Sequence, residues 1–178
     1  MAAIERGYVI ISGAPGAGKS TIAAPLAAAL GLPLIGKDMI KETLHDHIPA
    51  VGDRSGWSRT LGGAAMEVIW TMAAAAPAAV LESDFRPRSD YERGKLAGLG
   101  APLVEIYCRC PPELAAARYA ARHETRHPAH VRSTVTLDML AEFDTPVGLG
   151  PVIEVDTSGA VDVAGLSRAV LAAFGPGR

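Results

Sequence analysis

The residues Gly13-Ala14-Pro15-Gly16-Ala17-Gly18-Lys19-Ser20 complete the pattern G-x-x-x-x-G-K-[ST], and that spacing has a definite chemistry. Glycines let successive backbone N–H groups turn inward around an anion, and a helix starting at the loop's end adds its positive terminus. In such a cradle Lys19 reaches the β- and γ-phosphates of a nucleoside triphosphate and the Ser20 hydroxyl ligates magnesium. Thr21, next in line, faces the α-phosphate. The expected ligands are ATP, or a close relative, and Mg²⁺.

A phosphate loop has to hang between a strand and a helix, and the flanking residues predict both. Tyr8-Val9-Ile10-Ile11 is a continuously apolar, β-branched run of the kind buried on both faces of a parallel sheet. Ser20–Leu30 predicts a helix that stops at Gly31, with Pro25 expected to kink it. Further strands are predicted at Leu32–Ile35, Ala78–Leu81, Leu103–Cys108 and Val152–Val155. Helices are predicted at Asp38–His47, Ser58–Ala76, Ser89–Leu99, Pro111–His123 and Val161–Phe174, with a loop over Pro49–Gly56. Strands alternating with helices predict an α/β fold with a parallel sheet covered on both faces.

The 178 residues fit a single domain over 1–178, and 49% hydrophobic residues are enough for a sizeable core. Lys plus Arg number 17 against 19 for Asp plus Glu, so no global charge points to nucleic acid or an acidic membrane. Cys108 and Cys110 would share one strand face and read as structural thiols of a reducing compartment. Residues 1–7 do not resemble a secretion leader, and Pro77 breaks the alanine-rich stretch Met72–Val80, so a cytoplasmic protein is expected.

The first strand, the P-loop and the Gly36-Lys37-Asp38 segment beyond it resemble the small P-loop kinases of the AAA_33 and chloramphenicol phosphotransferase-like group. Gluconate and shikimate kinases are more distant relatives of that group. The resemblance covers nearly the whole chain in element order. It implies the P-loop NTPase fold, with five parallel strands ordered 2-3-1-4-5, a short lid at about 118–132, and transfer of the γ-phosphoryl group from ATP to a small molecule. It further implies that Asp38 is the catalytic base. The structural alternative is a helix N-cap ahead of Met39-Ile40-Lys41-Glu42. A lid arginine that offsets charge on the transferred group is also implied; Arg126 fits by position, although His127 separates it from Pro128, and Arg122 would clamp adenine or phosphate.

Glu82-Ser83-Asp84 follows the strand Ala78–Leu81, where an acidic residue would support the magnesium shell through water. For Asp84 the alternative is to face the acceptor, and a polar strand end is the alternative for both carboxylates. Asp38, Asp53, Glu82, Asp84 and Arg86 are the candidate acceptor-binding residues. For Arg86 and Arg88 the alternative is pairing with Asp84 and Asp90; for Arg118, Arg122 and Arg126, spaced by four, it is a solvated basic helix face. His123, His127 and His130 lack the spacing and cysteine company of a structural zinc site.

Together these features favour an ATP-dependent phosphotransferase acting on a hydroxyl of a metabolite or antibiotic. An ATP-hydrolysing switch acting through a protein partner is the second reading, weakened by the absence of an Asn-Lys-x-Asp signature. A polynucleotide-end kinase ranks below it because the chain is nearly neutral.

Overall fold

Apolar runs without a polar face must be covered on both sides. The computed structural model describes residues 4–175, and in it those runs form the middle of a sheet. The chain runs through β1 (Gly7–Ser12), α1 (Lys19–Leu30), β2 (Leu34–Gly36), α2 (Lys37–His47), α3 (Arg54–Ala75) and β3 (Ala78–Glu82). It continues through α4 (Asp90–Gly98), β4 (Leu103–Arg109), α5 (Pro112–Ala121), α6 (Leu137–Ala141), β5 (Val152–Asp156) and α7 (Val163–Phe174). All strand pairs are parallel, in the order β2-β3-β1-β4-β5, as the resemblance implies.

Side chains alternate across a strand, so β1 feeds two cores. Val9 and Ile11 meet Ile22 and Leu26 of α1 and Val170 and Phe174 of α7 on one face. Tyr8 and Ile10 meet Ile69 and Trp70 of α3 and Leu96 of α4 on the other. The register decides where the chemistry collects. Glu82 stands opposite Ile11 on one side and Gly36 on the other, between the start of the phosphate loop and the start of α2.

Several expectations needed correction. Pro25 does not interrupt α1, which runs from Lys19 to Leu30 with the proline on its exposed side. The Asp53 carboxylate accepts from Gly56 N, so α3 starts at Arg54 and absorbs part of the predicted loop. Asp38 is not a cap: Gly36 holds that position and Asp38 lies in the first turn of α2. Helix α5 ends at Ala121, short of His123, and α6 was not predicted. Residues 1–3 of the segment read for a leader lie outside the described residues. Among the described residues no helix is long and apolar enough to cross a membrane.

Candidate active site

The phosphate loop is shaped by close contacts that exclude side chains. Gly16 has φ +84°, and a Cβ there would lie 2.1 Å from the Ala115 carbonyl oxygen of α5. Gly13 has φ +126°, and its Cβ would lie 2.6 Å from the Cys108 carbonyl oxygen of β4. The loop thus threads between β4 and α5. Thr157, just past β5, clamps it from outside by donating its hydroxyl to Ala17 O at 2.6 Å and Arg109 O at 2.8 Å. Gly18 is the N-cap of α1 in the left-handed conformation, and no side chain caps the helix. The first-turn N–H groups therefore lack the side-chain acceptor that most helices supply, which suits them to an anion.

Lys19 is only 6% exposed and points back into this loop. Its ammonium donates to Gly13 O at 2.8 Å and Ala14 O at 2.9 Å, and it pairs with Asp84. Burial pulls its pKa down, but Asp84 and then Glu82 outweigh burial, so the net shift is upward and the charge is secure. The Asp84 carboxyl is pushed up by burial and pulled further down by Lys19, ending below its ordinary value. Ser20 donates to Glu82 Oε1 at 3.0 Å. Burial raises the Glu82 pKa against the pull of Lys19, with Asp38 and Asp84 adding to the rise.

One cleft brings together Pro15, Gly16, Gly18, Lys19 and Ser20 of the loop, the carboxylates Asp38, Glu82 and Asp84, and Tyr119, Arg122 and Arg126. The Arg126 guanidinium lies 4.5 Å from the Tyr119 ring centroid and its Nη2 is 3.8 Å from Asp38 Oδ2. Its Nη1 is buried and without a hydrogen-bond partner, an uncommon condition for a charged donor.

Other sequence candidates stand elsewhere. Asp53 is engaged as the α3 cap and does not line the cleft. Arg86 binds the buried carboxylate of Glu92, not Asp84 or Asp90, and Arg88 pairs with Asp144. Arg118 donates to Thr157 O and Ser158 O, which ties α5 to the segment after β5, and it does not line the cleft. Thr21 is exposed, with its N–H bonded to Gly18 O. His45, Asp46 and His127 bring their ligand atoms within 4.8 Å of one another. His127 Nδ1 accepts from Ala129 N at 3.2 Å, so Nε2 carries the proton and donates to Asp46 at 3.0 Å; the group is satisfied without a metal.

Sequence reasoning passed over Tyr119 and Lys41. Helical spacing was the available signal for Lys41, which follows Asp38 by three and shares its face. Lys41 donates to Ser58 Oγ at 2.9 Å, and burial, helped by Lys37 and Arg126, lowers its pKa against Asp38 and Glu42.

The sheet order and phosphate loop define a P-loop NTPase with the fold of the small kinases. The chain belongs to the AAA_33 family, described as an AAA domain, whose model matches residues 9–146. A search of curated proteins found no match. Among solved structures the chain is similar to a Chloroflexus aurantiacus protein provisionally described as a kinase, with 27% identity and a TM-score of 0.82 over 95% of this chain and 98% of that one. It is also similar to a gluconokinase from Sinorhizobium meliloti (20% identity, TM-score 0.58, covering 97% and 93%). A shikimate kinase from Acinetobacter baumannii, solved with shikimate, matches at 16% identity and TM-score 0.57, covering 94% and 92%. The last two likenesses speak to the fold alone.

Proposed function

We propose that the protein transfers the γ-phosphoryl group of ATP to a hydroxyl of a small molecule. The observation that carries this reading is the cleft itself: Lys19 of the phosphate loop and Asp38 of α2 share it with Arg126, whose Nη1 lacks a partner. A kinase needs a carboxylate placed to accept the acceptor's hydroxyl proton, and Asp38 supplies one in this cleft.

In this reading the acceptor oxygen bonds to the γ-phosphorus as the bond from that phosphorus to the β,γ-bridging oxygen breaks. The hydroxyl proton passes to Asp38 and ADP leaves. Lys19 offers a fixed positive charge to the β- and γ-phosphates, and the free Nη1 of Arg126 is available to the oxygens of the transferred group. Ser20 and Glu82 form a hard oxygen pair suited to Mg²⁺; Ser20 would hold the ion through its hydroxyl and Glu82 would support it through water. When bound, that ion would neutralise phosphate charge in a cleft that already crowds three carboxylates. The segment at about 118–132, which brings Arg122 and Arg126 to the cleft, acts as a lid that excludes water while the transfer proceeds.

The test is a screen of alcohols, sugars, hydroxy acids and antibiotics for acceptor-stimulated ADP release. With the acceptor found, Asp38→Ala loses transfer by about a hundredfold or more while MgATP binding is retained. Lys19→Ala, the control, loses binding. ADP release that no acceptor stimulates, or full transfer by Asp38→Ala, would remove this mechanism.

A further inference from the structure

Helix α2 carries Asp38, Glu42 and Asp46 at intervals of four, one above the other on a single face. The segment after α5 sets three basic side chains against them. Arg126 approaches Asp38 at 3.8 Å, His130 Nε2 bonds Glu42 Oε1 at 2.8 Å, and His127 bonds Asp46 at 3.0 Å. His130 is the inner member: its side chain is 7% exposed and its Nε2 lies 4.0 Å from Asp38 Oδ2. The backbone fastens the same place, because Ser58 Oγ of α3 donates to Ala129 O at 2.7 Å while accepting from Lys41. His130 therefore touches the site only through α2, and only while this segment is docked.

We propose that His130 is a positioning residue for Asp38, holding Glu42 one turn away and so fixing the helix face from which Asp38 meets the acceptor. The inference rests on the phosphotransfer reading for its purpose, but its geometry is independent of it. The charged groups facing His130 are Asp38, Glu42 and Lys41 of α2 and Arg126 of its own segment; α3 contributes the neutral Ser58. Burial lowers the imidazole pKa, Asp38 and Glu42 oppose that shift, and Arg126 and Lys41 reinforce it. At neutral pH the ring is thus an uncharged donor to Glu42 and adds no charge beside Asp38. Once protonated, the ring sets a second cation 4.0 Å from Asp38 Oδ2, beside the Arg126 guanidinium that already stands 3.8 Å from it.

The experiment is a pH titration of side-chain carboxyl resonances by NMR on the full chain, with the Asp38 signal assigned by Asp38→Asn. Two variants accompany wild type: His130→Gln, which keeps an N–H donor near the Nε2 position but cannot titrate, and His130→Ala. In wild type the Asp38 resonance responds where His130 titrates; His130→Gln loses that response. With the acceptor from the screen, His130→Ala lowers kcat about tenfold with the ATP Kd unchanged, and His130→Gln recovers most of it. An Asp38 resonance that follows the same pH curve in wild type and His130→Gln overturns the proposal, as does unaltered kcat in folded His130→Ala. Should His130→Ala not fold, His130→Gln alone decides through the resonance. The carboxyl titration needs no phosphoryl transfer, so it fails separately from the kinase reading.

Discussion

Lys19 engages three acceptors: the carbonyl oxygens of Gly13 and Ala14 and the carboxylate of Asp84. Asp84 is therefore more than acceptor-pocket lining; it balances the one cation buried beneath the phosphate site. That role has a pH signature whose sign can be worked out. The Asp84 carboxyl sits below its ordinary 3.8 when folded, because Lys19 outweighs burial. The unfolded chain thus takes up the proton first as pH falls, so this stabilisation is complete above 3.8 and is lost as pH drops through the folded value. Glu82 works the other way, since its raised value means that folding costs more above the ordinary carboxylate range and less below it. Thermal melting of Asp84→Asn should consequently fall less steeply than wild type between about pH 5 and pH 2. Parallel melting curves for the two proteins would show that the Lys19–Asp84 pair does not govern acid stability.

At the scale of elements, the phosphate loop depends on α5 as much as on α1. The 2.1 Å approach of a Gly16 Cβ to Ala115 O means that any side chain there pushes α5 outward, and α5 carries Tyr119 and leads into Arg122 and Arg126. Gly16→Ala should cost about 3 kcal/mol of stability, combining backbone strain with displacement, and should weaken MgATP binding at the same time. Chemical denaturation and calorimetric titration test the two losses; a stable variant with intact binding would contradict the contact. The loop was legible in the sequence because its constraint is local, and so were the long apolar strands, whose periodicity needs no partner to be seen. Helix α6 was not, because five residues carry too little periodicity. The start of α3 was hidden by Gly56, which reads as a loop residue until the Asp53 cap accepts its N–H.

Over the whole molecule, the illegible part is what distant segments do to one another. Nothing near Arg88 in sequence pointed to Asp144, 56 positions away, as its partner. Glu105 is the strongest case. It is fully buried in the middle of β4, yet the strand reads as apolar around it. Its Oε1 accepts from Ser12 Oγ at 2.5 Å and Val147 N at 2.8 Å, and its Oε2 accepts from Gly148 N at 2.8 Å. One carboxylate thereby joins the last residue of β1, where the phosphate loop begins, to the segment leading into β5. Glu105→Gln presents an NH₂ where only acceptors fit, and should destabilise the protein by about 3 kcal/mol in urea unfolding. A loss below about 1 kcal/mol would mean that the three donors find other partners.

Cys108 lies in the same layer, 2% exposed, with its carbonyl oxygen under Gly13 and its thiol pushed up to about 12 by burial. Such a thiol is dormant toward alkylating reagents while the chain is folded; burial raises the Cys110 thiol too, but its partial exposure makes it the more accessible of the two. The pair makes a natural stopwatch. The fast phase of labelling belongs to Cys110, and the slow phase counts how often the floor of the phosphate loop opens. Nucleotide should lengthen that slow phase by a factor of one plus the ratio of free nucleotide concentration to Kd, giving a clock for the loop that needs no introduced probe.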